Sequence, residues 1–275
     1  MLQGLKEGDV RALHQTRVAS RRLREILPVL QVEPRAARRL GRRLRKVTQW
    51  LGSVRELDVL WLLVEELTAT GRYDQQVLRR IAGAMGGERK RARVRLMAKL
   101  PMGELHRIAS KLGKIADELK DRKPSRGWRW AVDARVTRRA LGFKAALLDA
   151  GALYLPERLH LVRIALKKLR YAMEVEAEAS GLDKKGELRL LKRGQDILGR
   201  LHDMQVLLDR IRQLQAALSP SDAVFSRRLD ALTTAFENEC RRLHARFMHR
   251  RAVVAAVCDR AAGLKALAAT SRRAS

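Results

Sequence analysis

Two short stretches carry the residue types that could do chemistry. Residues 13–24 read LHQTRVASRRLR, and residues 159–170 read LHLVRIALKKLR. In the first, His14, Arg17, Arg21 and Arg24 step by three, four and three, which at about 100° per residue gathers them into about 80° of one helix face. His160, Arg163, Lys167 and Arg170 repeat that spacing, with Arg22 and Lys168 beside the two rows. Such a row donates charge-assisted hydrogen bonds to oxyanions, and the guanidinium fork suits bidentate contact with phosphate. Each histidine has two readings: the ring donates to an oxyanion and gains charge below about pH 6.5, or it is a buried or capping residue that fixes helix packing. No nucleophile or ordered carboxylate accompanies the rings, so no catalytic residue is assigned.

The elements that must position these rows are helices. Leu, Ala and Arg dominate, prolines number six, and β-branched runs are short. Helices are expected at about 9–31, 35–70, 73–85, 88–100, 103–120, 128–150, 157–180, 186–217 and 222–250, with breaks at Pro34, Gly71, Gly86–Gly87, Pro101, KPSRG (123–127), LP (155–156), SGLDKKG (180–186) and SPSD (219–222). The first histidine helix sets its cations against Thr16, Ala19, Leu23, Ile26, Leu27 and Leu30 on the opposite side. The following helix does the same, with Arg35, Arg38, Arg39, Arg42, Arg45 and Lys46 in one stripe and Leu40, Leu44, Val47 and Leu51 behind it. In the second half Lys185, Arg189, Lys192, Arg193 and Arg200 are backed by Leu188, Leu191, Leu198 and Leu201.

A basic helix face is ordinarily a solvated one, but solvated helices interleave acids with bases at i and i+4, and these stripes contain almost none. The whole chain carries 59 Lys and Arg against 30 Asp and Glu in 275 residues, a formal charge of +29. Two like charges 10 Å apart repel by about 0.4 kcal/mol in water before screening, so an anionic partner is expected. With apolar faces packed inward, the cationic faces are left to line a groove between the halves. The His14–Arg24 row runs about 15 Å, which suits an extended chain of phosphates better than one compact phosphate.

The chain is also an internal repeat. LGSVRELDVL at 51 returns as LGRLHDMQVL at 198, shifted by 147 residues where the histidine stretch is shifted by 146. Two motifs in one order imply related helical halves, 1–125 and 126–260, joined near 121–127 and followed by a basic tail, 261–275, that frays. Glu56, Asp58 and Asp203 within these motifs match no metal template and are expected to accept salt bridges or to favour a helix start, and the four tryptophans are expected mostly to pack. Cys240 and Cys258 lack disulfide or zinc spacing, there is no Gly-rich phosphate loop, and no apolar run is long enough to cross a bilayer. A cytoplasmic protein without metal or cofactor is expected. Nucleic acid is the secondary candidate partner on charge alone, although aromatics at 4% leave few stacking platforms.

In LHQTRVASRRLR, LGSVRELDVL, LHLVRIALKKLRYAME and GQDILGRLHDMQVL the sequence resembles the CHAD domain, the conserved histidine α-helical domain, over roughly residues 8–250. The resemblance implies an all-α fold of two pseudo-twofold-related helical bundles around a basic central cavity. It also implies non-catalytic binding of inorganic polyphosphate and targeting to polyphosphate granules. By position, the family histidines fall on His14 and His160 and the basic partners on Arg17, Arg21, Arg22, Arg24, Arg163, Lys167, Lys168 and Arg170. One departure stands out: the long helix expected before the first histidine motif, matched by 128–150 in the second half, has only about 13 residues here. Either the start is truncated or a partner chain completes that bundle.

Overall fold

The computed structural model describes residues 2–30, 32–120, 126–219 and 222–263. Residues 121–125 of the join expected near 121–127, Pro220 and Ser221 of the SPSD break, and the tail from 264 lie outside the described residues, while residues 126 and 127 already belong to a helix. The protein is all-α, with no strand among the described residues. Its helices are α1 (Leu2–Lys6), α2 (Val10–Ile26), α3 (Pro34–Trp50), α4 (Gly52–Ala69), α5 (Gln75–Lys99), α6 (Met102–Lys120), α7 (Arg126–Ala150), α8 (Pro156–Ser180), α9 (Lys185–Ala216) and α10 (Ala223–Ala261). Two compact units form, one from the described residues of 1–123 and 206–234, the other from those of 124–205 and 235–275, so both unit boundaries on the C-terminal side fall inside α9 and α10.

Local chemistry starts the helices of the first unit. The Asp9 carboxylate accepts from the backbone N–H groups of Arg11 and Ala12 at 3.0 and 3.1 Å, and Asp74 does the same for Gln76 and Val77, each at 3.0 Å. Each cap satisfies two of the donors a helix start leaves open. Glu33 caps α3, and Pro34 occupies its first turn, where a missing N–H costs nothing. The apolar faces then meet in one core: Leu13 of α2, Leu40, Leu44 and Val47 of α3, Val54 and Leu57 of α4, and Leu105 and Ile108 of α6 are all buried. In the second unit α7 and α8 pack closely, and Phe143, Leu166, Leu198, Phe236 and Phe247 are among the buried residues of its four helices. A Cβ on Gly194 of α9 would meet Val254 Cγ2 at 3.3 Å and Leu166 Cδ2 at 3.5 Å, so the glycine lets α9 approach its neighbours.

Several expected boundaries move. The helix expected over 35–70 breaks at Leu51, which is buried with φ −79° and ψ −2° and turns the chain from α3 into α4. No break occurs at Gly86–Gly87. Both glycines lie within α5, and the intrinsic cost of about 1 kcal/mol each is offset by burial of Ile81, Met85 and Ala92 on either side. The first histidine helix stops at Ile26 rather than 31, α10 continues to Ala261 rather than 250, and the short α1, for which the pattern gave no signal, packs on α2 and α6. Trp130 is 74% exposed rather than packed.

One interior ion pair ties α4 to α5. Asp58 is fully buried and accepts from Arg89 Nε at 2.6 Å, with Arg93 Nη2 at 3.7 Å. The Arg89 guanidinium also lies 4.6 Å over the Trp61 ring. Removing the carboxylate leaves two largely enclosed guanidinium groups without their counter-charge. Asp58→Ala is therefore expected to lower stability by about 3 kcal/mol, read as a shift in the urea midpoint; an unchanged midpoint contradicts this role for the pair.

Candidate functional site

The basic residues singled out by spacing fall on identifiable surfaces, each described within its own unit. On α3, Arg38, Arg39, Arg42, Arg45 and Lys46 are all exposed, while Leu40, Leu44 and Val47 are buried behind them. No acid interrupts α3. On α2, His14 and Arg22 are exposed, and Arg17, Arg21 and Arg24 are half-buried. On α9, Arg189, Lys192 and Arg193 are exposed, but Lys192 is bonded to Asp196 at 2.7 Å, so this stripe is partly compensated. On α8, Lys168 is exposed, and His160, Arg163, Lys167 and Arg170 are half-buried.

Some of these cations also hold the fold. Arg17 Nη1 donates to the Thr48 carbonyl at 2.6 Å, satisfying one of the acceptors that the C-terminal end of α3 leaves open. The same nitrogen lies 3.3 Å from where a Cβ on Gly52 would stand, so the glycine of the first LG motif leaves room for the guanidinium. Its counterpart Arg163 lies 4.0 Å from the Asp203 carboxylate. Arg170 is more firmly engaged: Nε donates to Gln195 Oε1 at 2.8 Å, Nη1 bonds Glu174, and the group sits over Tyr171.

The repeated motifs therefore meet in space within each unit, and two residues join the sites that spacing alone did not select. In the first unit Arg55 acts electrostatically on His14. In the second, His202 Nδ1 lies 3.2 Å from His160 Nδ1, with ring centroids 4.5 Å apart. Arg55 and His202 hold the same column, the fifth position of LGSVRELDVL and LGRLHDMQVL. That shared column was the available signal: a basic or titratable type recurs there although the residue changes.

The surroundings of the rings correct the expectation that they gain charge below about pH 6.5. Burial, then Arg55, Arg17 and Arg21, lower the pKa of His14. Burial, then Arg163 and Lys167, lower that of His160 against a small opposing pull from Glu157. His202 is pushed down to about 4 by burial, Arg163, His160 and Lys167. The bond between the two Nδ1 atoms adds a constraint of its own. One ring must donate and the other accept, so the acceptor has to be neutral and the contact cannot survive double protonation. Among the described residues no three His, Cys, Asp or Glu side chains converge as a metal ligand set, and no helix is long and apolar enough to cross a membrane.

Two comparisons with known proteins return a likeness. The family model described as the CHAD domain matches residues 2–212, ending short of the boundary near 250 that the motifs suggested. The crystal structure of the CHAD domain from the plant Ricinus communis is similar in fold, with a TM-score of 0.61 at 22% identity, covering 86% of this chain and 81% of that one. No curated protein matches the sequence.

The depressed histidines make stability depend on pH with a definite sign. Folded His202 refuses a proton that the unfolded chain accepts near pH 6.5, so stability present above pH 6.5 is lost as pH falls toward about 4. His202→Gln is expected to flatten the fall in unfolding free energy between pH 6.5 and 4.5, measured by urea titration at several pH values. An identical slope in the two proteins would show that this ring is not the group responsible.

Proposed function

The chain belongs to the CHAD domain family, and on that premise we propose that it is a non-catalytic binder of inorganic polyphosphate, held on the basic faces of α2, α3, α8 and α9. The observation that carries the reading is the face of α3. From Arg35 to Lys46 all six cations of the stripe are exposed with no acid on the helix, a row about 16 Å long. Their mutual repulsion is relieved along the whole row by an anion that is itself extended. A linear phosphate chain offers oxygens at every unit, so each guanidinium can take its own charge-assisted contact. Association also releases small counterions from both partners, as it does for other polyanions. Affinity therefore rises with chain length and falls steeply with salt.

The histidine rows belong to the same reading. A phosphate beside His14 or His160 supplies the opposite charge that the free protein lacks there, and so raises the pKa that burial and the neighbouring cations lower. Binding then takes up protons and tightens as pH falls. The chemistry asked of the protein is positioning of charge, and the reading calls for no turnover, cofactor or metal. It places the protein in the cytoplasm, where polyphosphate granules would recruit it.

Replacing Arg21, Arg38, Arg42 and Lys46 by Ala is expected to weaken binding of long-chain polyphosphate by at least about 100-fold at 0.1 M salt, with each charged contact contributing on the order of 1 kcal/mol. The far-ultraviolet helical signal should stay unchanged, because three of the four are exposed and none is hydrogen-bonded or ion-paired among the described residues. Calorimetry on the wild type and this variant decides it. Binding unchanged by the four substitutions removes the assignment, and a preference for DNA or RNA over polyphosphate at matched charge and salt removes the ligand.

A further inference from the structure

A cleft of about 350 Å³ opens in the first unit between the α3–α4 corner and the C-terminal half of α5, with Arg210 of α9 in its wall. Its chemistry differs from that of the basic faces. Trp50 packs against the core yet stays partly exposed to the cleft. Arg95 and Lys99, four residues apart on α5, are exposed cations, and that spacing brings their stems within about 6 Å of each other. Glu56 of α4 brings an exposed carboxylate. Glu88 and Arg210 face each other at 3.3 Å and so neutralise one another.

A bare phosphate chain makes poor use of this wall. It has no apolar surface for the indole, and its oxygens are repelled by Glu56. A ligand that engages every feature has a flat heterocyclic body, an amine that can donate to a carboxylate, and an anionic tail. We propose that this cleft binds a mononucleotide carrying a phosphate tail: the base stacks on Trp50, an exocyclic amine donates to Glu56, and the phosphates lie on Arg95 and Lys99. The volume falls within the range of small-molecule sites and suits one base and its ribose, with the tail at the rim where the two cations are exposed. Stacking on an aromatic face tolerates any base, while the carboxylate favours bases that carry an amine, as adenine, guanine and cytosine do. Trp50 stands one turn beyond Lys46, so the cleft adjoins the end of the α3 face, but the proposal does not rest on the polyphosphate reading.

Calorimetry with ATP and with inorganic tripolyphosphate, two ligands of similar charge that differ by the nucleoside, tests the proposal on the full chain at 0.15 M salt. ATP is expected to bind about tenfold more tightly or better, the amount one stacked base contributes. Trp50→Leu is expected to erase that preference, and the double variant Arg95→Gln with Lys99→Gln to weaken ATP by about tenfold. Equal affinities for the two ligands in the wild type, or an ATP affinity unmoved by the double variant, overturn the proposal. If Trp50→Leu loses its helical signal, the double variant decides alone, since both of its positions are exposed. Repeating the titration in a variant with Arg21, Arg38 and Arg42 replaced by Ala, which leaves Lys46 beside Trp50 in place, keeps the two readings apart. ATP binding that persists there belongs to the cleft, and ATP binding that disappears there assigns it to the basic faces and sinks the proposal.

Discussion

Like-charge repulsion is the constraint under which every basic helix of this protein folds. With 59 Lys and Arg among 275 residues, a helix such as α3 has no acid of its own to pair with its cations, and the contact of Arg43 with Glu104 of α6 at 3.3 Å leaves its exposed stripe uncompensated. It is held mainly from behind, by Leu40, Leu44 and Val47 packed into the core of the first unit. Burial of such side chains is worth about 1.5–3 kcal/mol each, whereas a surface ion pair is worth about 1 kcal/mol at most. An apolar face can therefore carry a cationic one. The acids are then available where repulsion is hardest to screen, and Asp58 meets Arg89 and Arg93 inside while Asp203 stands beside Arg163.

The two copies of the motif pair show how one arrangement survives different local solutions. In the first, LGSVRELDVL straddles the corner at Leu51, and Arg17 reaches the end of α3 past Gly52. In the second, LGRLHDMQVL lies inside the unbroken α9, a Cβ on Gly199 would meet nothing, and Arg163 looks to a carboxylate. The eighth position diverges in the same way. Asp58 is an interior counter-ion, while its counterpart Gln205 donates to the Tyr154 hydroxyl at 2.9 Å, a phenol whose pKa burial lifts to about 12. What is kept is a histidine on one helix facing a basic or titratable residue on a later one.

That conserved relation has a cost in charge. Burial first, and then the surrounding cations, hold each ring's pKa below that of a free imidazole. A histidine whose pKa is lowered in this way responds to whatever anion arrives, because the proton and the anion favour one another.

The sequence by itself determined the class of fold, the amphipathic faces and the pairing of motifs across 146 or 147 residues. These are legible because helical periodicity is a local property, about 100° per residue, and a repeat is visible by comparison alone. Only the tertiary structure decided which cations are spent on the fold. Arg17 and Arg170 have the same sequence character as Arg38 and Arg42, and they differ only in what lies within reach: Thr48 for one, Gln195 and Glu174 for the other. The continuity of α5 through two glycines, the corner at Leu51, and the meeting of His160 with His202 likewise depend on neighbours distant in the chain. Propensity and periodicity are summed along the sequence, whereas burial, hydrogen-bond partners and pKa are set by whatever the fold brings alongside.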